Sequence, residues 1–173
     1  MSLYVESSIT FDLTAAVTVI EHDKATPTHL GGLVHGNSIW SGVDFCIEEA
    51  TGSWIWLEVK NWDQTHIPPA RRGGSRWSFI CKMKSREFLR EMRGKFLGTT
   101  AYLALTGSLP STSIQFALLF EPPTVVDSAL IGSRMTRMRG LIPNLRRWTQ
   151  PVHVSIMTLR EWNIRFGHLY PAS

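Results

Sequence analysis

Two neighbouring stretches near the middle of the chain alternate between apolar and polar positions. Residues 43–49 read VDFCIEE, and residues 53–60 (SWIWLEVK) repeat the alternation. A period of two is typical of β-strands, whose successive side chains point to opposite faces. The link over 50–52 ends in Gly52, which tolerates a positive φ. The pattern therefore predicts a β-hairpin.

Apolar residues at helical spacing indicate further elements. One stripe follows Asp12 and predicts a helix over 13–23, with Asp12 as its N-cap. A second stripe predicts a helix over 82–97 that ends at Gly98. The remaining predictions are buried strands over 100–106, 113–120 and 152–157, a helix over 126–147 at least up to Pro143, a last helix after a Thr158–Glu161 capping box, and loops over 24–38 and 62–78.

The order of these elements defines the expected fold class. Helices alternate with paired strands, which predicts an α/β domain with a central mixed sheet flanked by helices. A length of 173 residues and a hydrophobic fraction of 43% favour one domain over residues 1–173.

The hairpin register places charged side chains together. If residues 50–52 form the loop, Glu49 pairs with Ser53 and Asp44 then lies directly opposite Glu58. Opposed residues project on the same face of a strand pair, and Lys60, two residues further on, shares that face. A register shifted by one residue would move Asp44 to the other face.

Two opposed carboxylates repel each other unless a positive charge compensates them. Mg²⁺ prefers oxygen ligands and keeps several waters, so one or two carboxylates suffice to hold it. Such a metal activates water and stabilises charge on a phosphoryl oxygen, and Lys60 would add positive charge beside it. A simple ion pair between Lys60 and Glu58 or Asp44 remains an alternative.

These residues resemble the motif of the PD-(D/E)XK nuclease superfamily. That motif has an Asp on one strand and (D/E)-x-K on the next, followed by a helix and another strand. Asp44 and Glu58-Val59-Lys60 match it, with Val43 in place of the motif's proline. The resemblance covers residues from about 12 to 106.

The resemblance implies a restriction-endonuclease-like fold and a metal-dependent nuclease. Asp44, Glu58 and Lys60 would be catalytic, and Mg²⁺ or Mn²⁺ would bind Asp44, Glu58 and the main-chain carbonyl of Val59. Members often supply another acid from a preceding helix, for which Glu21 is the best match and Asp23 the substitute. The substrate would be DNA rather than RNA, and a homodimer would allow both strands to be reached.

Basic residues follow the hairpin, and the formal net charge is +4 with a pI near 9.4. Such groups bind phosphate backbones, although a solvated surface is the plainer explanation. Trp62 and Trp77 flank this segment and would either stack on bases or anchor the loop. The predicted nucleic-acid-binding residues are Arg71, Arg72, Arg76, Lys82 and Lys84.

Other classes of protein find less support in the sequence. Two cysteines make neither a disulfide framework nor a zinc cluster, and the six histidines, His22 and His66 among them, lack metal-ligand spacing. No P-loop or dinucleotide-binding motif occurs. Residues 1–10 lack the pattern of a secretory signal, and no apolar run reaches the roughly 18 residues of a membrane span. We expect a cytoplasmic protein without a membrane partner.

Two alternatives to the nuclease hypothesis remain. The same fold could hold nucleic acid without hydrolysing it, in which case binding would depend on salt but not on Mg²⁺. Asp44, Glu58 and Lys60 could instead be a structural ion pair, in which case thermal stability would not respond to divalent metals.

Overall fold

Seven strands and three longer helices form the described part of the computed structural model, which comprises residues 2–22, 42–61, 81–121, 128–142 and 152–173. A short helical stretch over 81–84 precedes the first of these helices. In chain order the elements are β1 (Leu3–Glu6), β2 (Ile9–Asp12), β3 (Thr18–Glu21), β4 (Phe45–Glu48), β5 (Trp54–Asn61), α1 (Arg86–Leu105), β6 (Ile114–Glu121), α2 (Ser128–Leu141), β7 (His153–Met157) and α3 (Leu159–Phe166).

Five strands form a mixed sheet in the order β3-β4-β5-β6-β7, and β1 and β2 form a separate antiparallel pair. Antiparallel pairing joins β3 to β4 and β4 to β5, whereas β5, β6 and β7 run parallel. Parallel neighbours need a crossover connection. α1 lies between β5 and β6 in the chain and α2 between β6 and β7, which confirms the predicted α/β class with a mixed sheet.

Both faces of the sheet are covered by apolar residues. Phe88 and Phe96 of α1 and Met138 of α2 pack against one face. The β1–β2 pair and α3 pack against the other, through side chains that include Phe11 and Trp162. Strands buried on both faces have nearly continuous apolar runs, as in residues 114–120 of β6.

The predicted β4–β5 hairpin is confirmed, including its register. Phe45 pairs with Leu57, and the N–H of Glu49 donates to the carbonyl of Ser53 at 2.9 Å. Gly52 has φ of +79°, a conformation that costs residues with a Cβ atom free energy. The three-residue loop therefore sets which side chains face each other at the far end of the hairpin.

Replacing Gly52 by alanine is expected to lower the free energy of unfolding by about 1 kcal/mol, because alanine must adopt this left-handed conformation. Gly94 is the matched control in α1, where an added Cβ meets no atom within 4 Å. Its replacement by alanine should raise the free energy of unfolding by up to about 1 kcal/mol. Urea titration measures both, and changes of the same sign would contradict this account of the turn.

The helix predicted over 13–23 is wrong, because this segment contains β3, which pairs with β4. Asp12 ends β2 instead of capping a helix, and its Oδ1 accepts hydrogen bonds from the N–H and hydroxyl of Thr14. Thr18, Val19 and Ile20 are β-branched residues, which suit a strand with a neighbour. Pairing with β4 decided the structure where the sequence pattern was ambiguous.

The strand predicted over 100–106 is also wrong, because α1 continues through Gly98 as far as Leu105. Gly107, two residues beyond Leu105, has φ of +72° and terminates the helix. Its N–H donates to the carbonyl of Ala104, and the N–H of Ser108 donates to that of Leu103. This is a Schellman motif, one of the usual ways in which a helix ends.

The later elements agree with their predictions in type and approximate position. These are β6, α2, β7 and α3, and the capping box of α3 is present with both reciprocal bonds between Thr158 and Glu161. Pro143 and the predicted loops over 24–38 and 62–78 lie outside the described residues. None of the helices in the described ranges is both long and apolar enough to cross a membrane.

Candidate active site

Asp44 and Glu58 meet at the end of the hairpin opposite the loop. Extending the observed register by one residue beyond Phe45 places them on one row of the strand pair, as predicted. Only 5% of Asp44 and 0% of Glu58 is exposed. Oδ2 of Asp44 accepts a hydrogen bond of 2.6 Å from the N–H of Val59, which fixes its carboxylate beside β5.

Lys95 of α1 contacts both acids from the helical side of the sheet. Its Nζ lies 3.2 Å from Oε2 of Glu58 and 3.8 Å from Oδ1 of Asp44, and its side chain is only 11% exposed. Buried charges are stable when they are paired. The two carboxylates thus converge on one positively charged atom.

Lys60 contacts Glu58 from the outer side of the site. Its Nζ lies 2.7 Å from Oε1 of Glu58 and 3.0 Å from Oε1 of Glu91, with 24% of the side chain exposed. Lys82 approaches the other oxygen of Glu91 at 3.5 Å. We refer to Asp44, Glu58, Glu91, Lys60, Lys82 and Lys95 together as the acid–lysine cluster, and their formal charges cancel.

Burial and charge shift the pKa values within the cluster. Burial raises the pKa of the Glu58 carboxyl above its usual value, although Lys60 and Lys95 act in the opposite direction. For Lys60, burial opposes the charged form, but Glu58 and then Glu91 outweigh this effect and raise the pKa of the ammonium group well above its usual value. The two carboxylates therefore favour the charged form of Lys60.

The sequence did not identify Lys95 and Glu91 as site residues. The structure directs Lys95 to the two acids and Glu91 to Lys60 and Lys82. A signal was present, because Lys95 lies on the helical stripe of buried residues that includes Met92 and Thr99.

The structure does not bring Glu21 to the cluster. Glu21 lies in β3 and not in a helix, and it pairs with Phe45. Side chains opposed in this way share a face, and Phe45 packs with the β1–β2 pair on the face away from α1. The alternation over 43–49 predicts that Val43 shares the face of Phe45. Val43 packs instead on the α1 face, because it precedes β4 and does not follow the alternation of that strand.

The predicted nucleic-acid-binding residues are only partly described. Lys82 and Lys84 are exposed, and Lys82 belongs to the acid–lysine cluster. The other residues predicted to contact nucleic acid after the hairpin lie outside the described ranges and remain predictions: Arg71, Arg72, Arg76, Trp62 and Trp77. Asp23 and His66 lie outside these ranges as well.

His22 lies next to the site but has a packing role. The main-chain N–H of His22 donates to the main-chain carbonyl of Asp44 at 3.1 Å, and the ring Nε2 lies 3.3 Å from Sγ of Cys46. The ring of Tyr102 packs edge-on against the His22 ring at 4.7 Å. Burial raises the pKa of the Cys46 thiol well above its usual value, so this cysteine is not an activated nucleophile.

The donor chemistry of the site suits a hard divalent cation. Asp44 and Glu58 offer carboxylate oxygens that converge on the position of Lys95 Nζ. Within the described ranges no group of three or more His, Cys, Asp or Glu side chains could hold a metal ion, which disfavours a zinc-type cage there. Mg²⁺ needs only one or two carboxylates with waters, so the pair fits Mg²⁺ if Lys95 gives up the shared position.

Comparison with known proteins gives no match for this chain: no family model fits its sequence, and neither a curated protein nor a solved structure resembles it closely enough to count.

Proposed function

We propose that this protein is a metal-dependent nuclease of restriction-endonuclease-like fold that hydrolyses phosphodiester bonds, in DNA rather than RNA. The observation that carries the proposal is the convergence of Asp44 and Glu58 on one point, with Lys60 at the outer side of Glu58. The mixed sheet and the order of hairpin, helix and strand also support it.

Each residue of the hairpin would have its own role. Asp44 and Glu58 would hold Mg²⁺ or Mn²⁺, with the main-chain carbonyl of Val59 as a further ligand. Bound there, the metal would supply an activated water and positive charge for the scissile phosphate. Lys60, the most exposed of the groups that contact Glu58, would stabilise negative charge as it develops on the phosphate.

Lys95 and Glu91 would position these groups. Lys95 holds the two carboxylates together before a metal arrives, because one ammonium group contacts both. Both carboxylates would therefore already point to one position when the ion replaces the ammonium group there. Glu91 is the second carboxylate that contacts the ammonium group of Lys60, after Glu58.

The substrate and assembly complete the proposal. The exposed Lys82 and Lys84 precede α1, and the positive net charge of the chain favours a polyanion. Arg71, Arg72 and Arg76 would contribute to the same contact with the phosphate backbone. A homodimer would place two such sites on the two strands of a duplex.

A nucleic-acid-binding module without catalysis is the second candidate. One observation favours it: the acid–lysine cluster is neutral as it stands, because three lysines compensate three carboxylates. A structural cluster of this kind needs no metal to be stable. The two candidates differ in their response to divalent ions.

Calorimetric titration with Mn²⁺ is the test that separates them. We expect wild type to bind the ion and Asp44→Asn to lose at least about tenfold in affinity, since the amide removes one anionic ligand. The asparagine carbonyl can still accept the hydrogen bond from Val59, so the fold should persist. Glu87→Gln, an exposed change on α1, is the control and should bind as wild type does.

Cleavage of labelled single- and double-stranded DNA and RNA in Mg²⁺ completes the test. Metal binding that depends on Asp44, together with cleavage, would support the nuclease. Silence towards Mn²⁺, both alone and with an oligonucleotide present, would exclude it. Salt-dependent nucleic-acid binding under those conditions would then favour the binding module.

A further inference from the structure

A cleft of about 440 Å³ lies between α1 and α2, apart from the acid–lysine cluster. Leu89, Leu141 and Gly140 contribute its apolar part. An added Cβ at Gly140 would meet no atom within 4 Å, so the space beside this glycine is open. The volume of the cleft falls within the range of about 300–1,000 Å³ that is usual for small-molecule sites.

Three arginines surround this apolar space. Arg86 and Arg90 come from α1 and Arg137 from α2, and all three are exposed. Among the described residues that line the cleft, none is acidic. Three guanidinium groups around one cavity repel one another, and an anionic ligand would relieve that repulsion.

A fourth arginine adds positive charge behind the cleft. Arg134 precedes Arg137 by three residues on α2 and is only 6% exposed. Its Nε and Nη1 find no hydrogen-bond partner among the residues that the structure describes. Burial lowers the pKa of Arg134, and the charge of Arg137 lowers it further. This end of α2 is thus rich in positive charge.

The shape and the charge together indicate the class of ligand. An apolar floor suits a flat ring, and a guanidinium rim suits phosphate, which arginine binds through two parallel hydrogen bonds. Guanidinium planes also stack on nucleobases. A nucleotide combines these two features, whereas the acidic side chains of a peptide offer charge without a ring.

The position of the cleft favours a nucleic-acid strand over a free nucleotide. α1 carries two of the cleft arginines, Arg86 and Arg90, and also Glu91 and Lys95 of the acid–lysine cluster. Arg90 lines the cleft and the next residue, Glu91, belongs to the acid–lysine cluster, so the two places adjoin along α1. A strand, unlike a free nucleotide, is long enough to reach from one to the other.

We propose that this cleft binds one nucleotide of a single-stranded nucleic-acid segment, with the base against Leu89 and Leu141 and the flanking phosphates on Arg86, Arg90 and Arg137. The proposal rests on the proposed function for the identity of the polymer. It does not need the hydrolytic step, because binding at the cleft involves no metal.

Fluorescence anisotropy of a short labelled oligodeoxythymidylate, measured in EDTA over a series of salt concentrations, tests this site. Arg137→Gln should weaken binding by about tenfold, the scale of one charged hydrogen-bonded contact, and should reduce the slope of log K against log salt by about one. Leu141→Ala should weaken binding without changing the slope. The control is Arg160→Gln, an equal charge change at an exposed residue of α3.

Several outcomes would overturn the proposal. Equal effects of Arg137→Gln and Arg160→Gln would show a general charge effect and no site. Binding of thymidine monophosphate as tight as that of the oligonucleotide would indicate a free-nucleotide site, and preferential binding of polyglutamate would indicate an acidic peptide.

A chain that binds the oligonucleotide as expected but neither binds Mn²⁺ nor cleaves DNA would support the cleft and contradict the nuclease.

Discussion

Glu58→Gln is expected to lower Mg²⁺-dependent cleavage by about a hundredfold to a thousandfold, the scale of removing one electrostatic group from an active site. Glutamine keeps the size of the side chain but removes the negative charge on which Lys60 and Lys95 converge. It also removes one of the two carboxylates proposed to hold the metal. Initial rates on labelled DNA at saturating Mg²⁺ measure the effect.

Glu91→Gln provides the comparison for this prediction. Glu91 contacts Lys60 but neither of the proposed metal ligands, and its side chain is 32% exposed. Its replacement should slow cleavage by no more than about tenfold, through a less ordered Lys60. Equal losses in the two variants would show that Glu58 acts only by holding Lys60, and a fully active Glu58→Gln would remove Glu58 from the site.

Lys95→Met should lower the free energy of unfolding by about 3–5 kcal/mol in the absence of divalent ions, the range for removing one partner of a buried ion pair. Methionine preserves most of the volume but leaves Asp44 and Glu58 facing each other with less positive charge. Mn²⁺ should recover part of the loss, because the cation would take the position of the ammonium group. Thermal and urea unfolding, with EDTA or with Mn²⁺, measure both effects.

Lys82→Met is the matched control for this change. The Lys82 side chain is 47% exposed and approaches the outer oxygen of Glu91 at 3.5 Å. Exposed ion pairs contribute about 1 kcal/mol or less, so its loss should be small and indifferent to Mn²⁺. A Lys95→Met protein that unfolds like wild type, or that gains nothing from Mn²⁺, would contradict the shared position of lysine and metal.

The sequence predicted the hairpin well because two local signals agreed. Alternation over 43–49 and 53–60 fixed the strands, and the three-residue loop with Gly52 fixed the register. Together these two signals predict Asp44 opposite Glu58 without the help of any tertiary contact. Local information was sufficient because the two strands are neighbours in the chain.

The two errors in secondary structure have a different cause. Residues 13–23 and 100–106 contain mixtures of β-branched and helix-forming residues, so their local preference is weak. The first became a strand because β4 offered a partner, and the second remained helical because α1 continued across Gly98 to the Schellman motif. Long-range pairing cannot be deduced from the periodicity of either segment.

The site was predicted only as far as the hairpin reaches. Lys95 and Glu91 come from α1, which begins at Arg86, well beyond the end of β5 at Asn61, and only the fold brings them to Glu58 and Lys60. Glu21, predicted as an additional acid of the site, lies away from the cluster for a related reason. Its assignment depended on a helix, and in the observed strand its row in the register turns it to the opposite face.

The bond between Asp44 and the N–H of Val59 has a consequence for how this protein could change during evolution. Asp44 serves the fold as well as the proposed chemistry, because its carboxylate satisfies a buried donor of β5. A lineage that no longer needed catalysis would still be under selection to keep this aspartate, whereas the more exposed Lys60 would be freer to drift. An intact aspartate in a descendant would therefore say little about activity, and a lost lysine would say more.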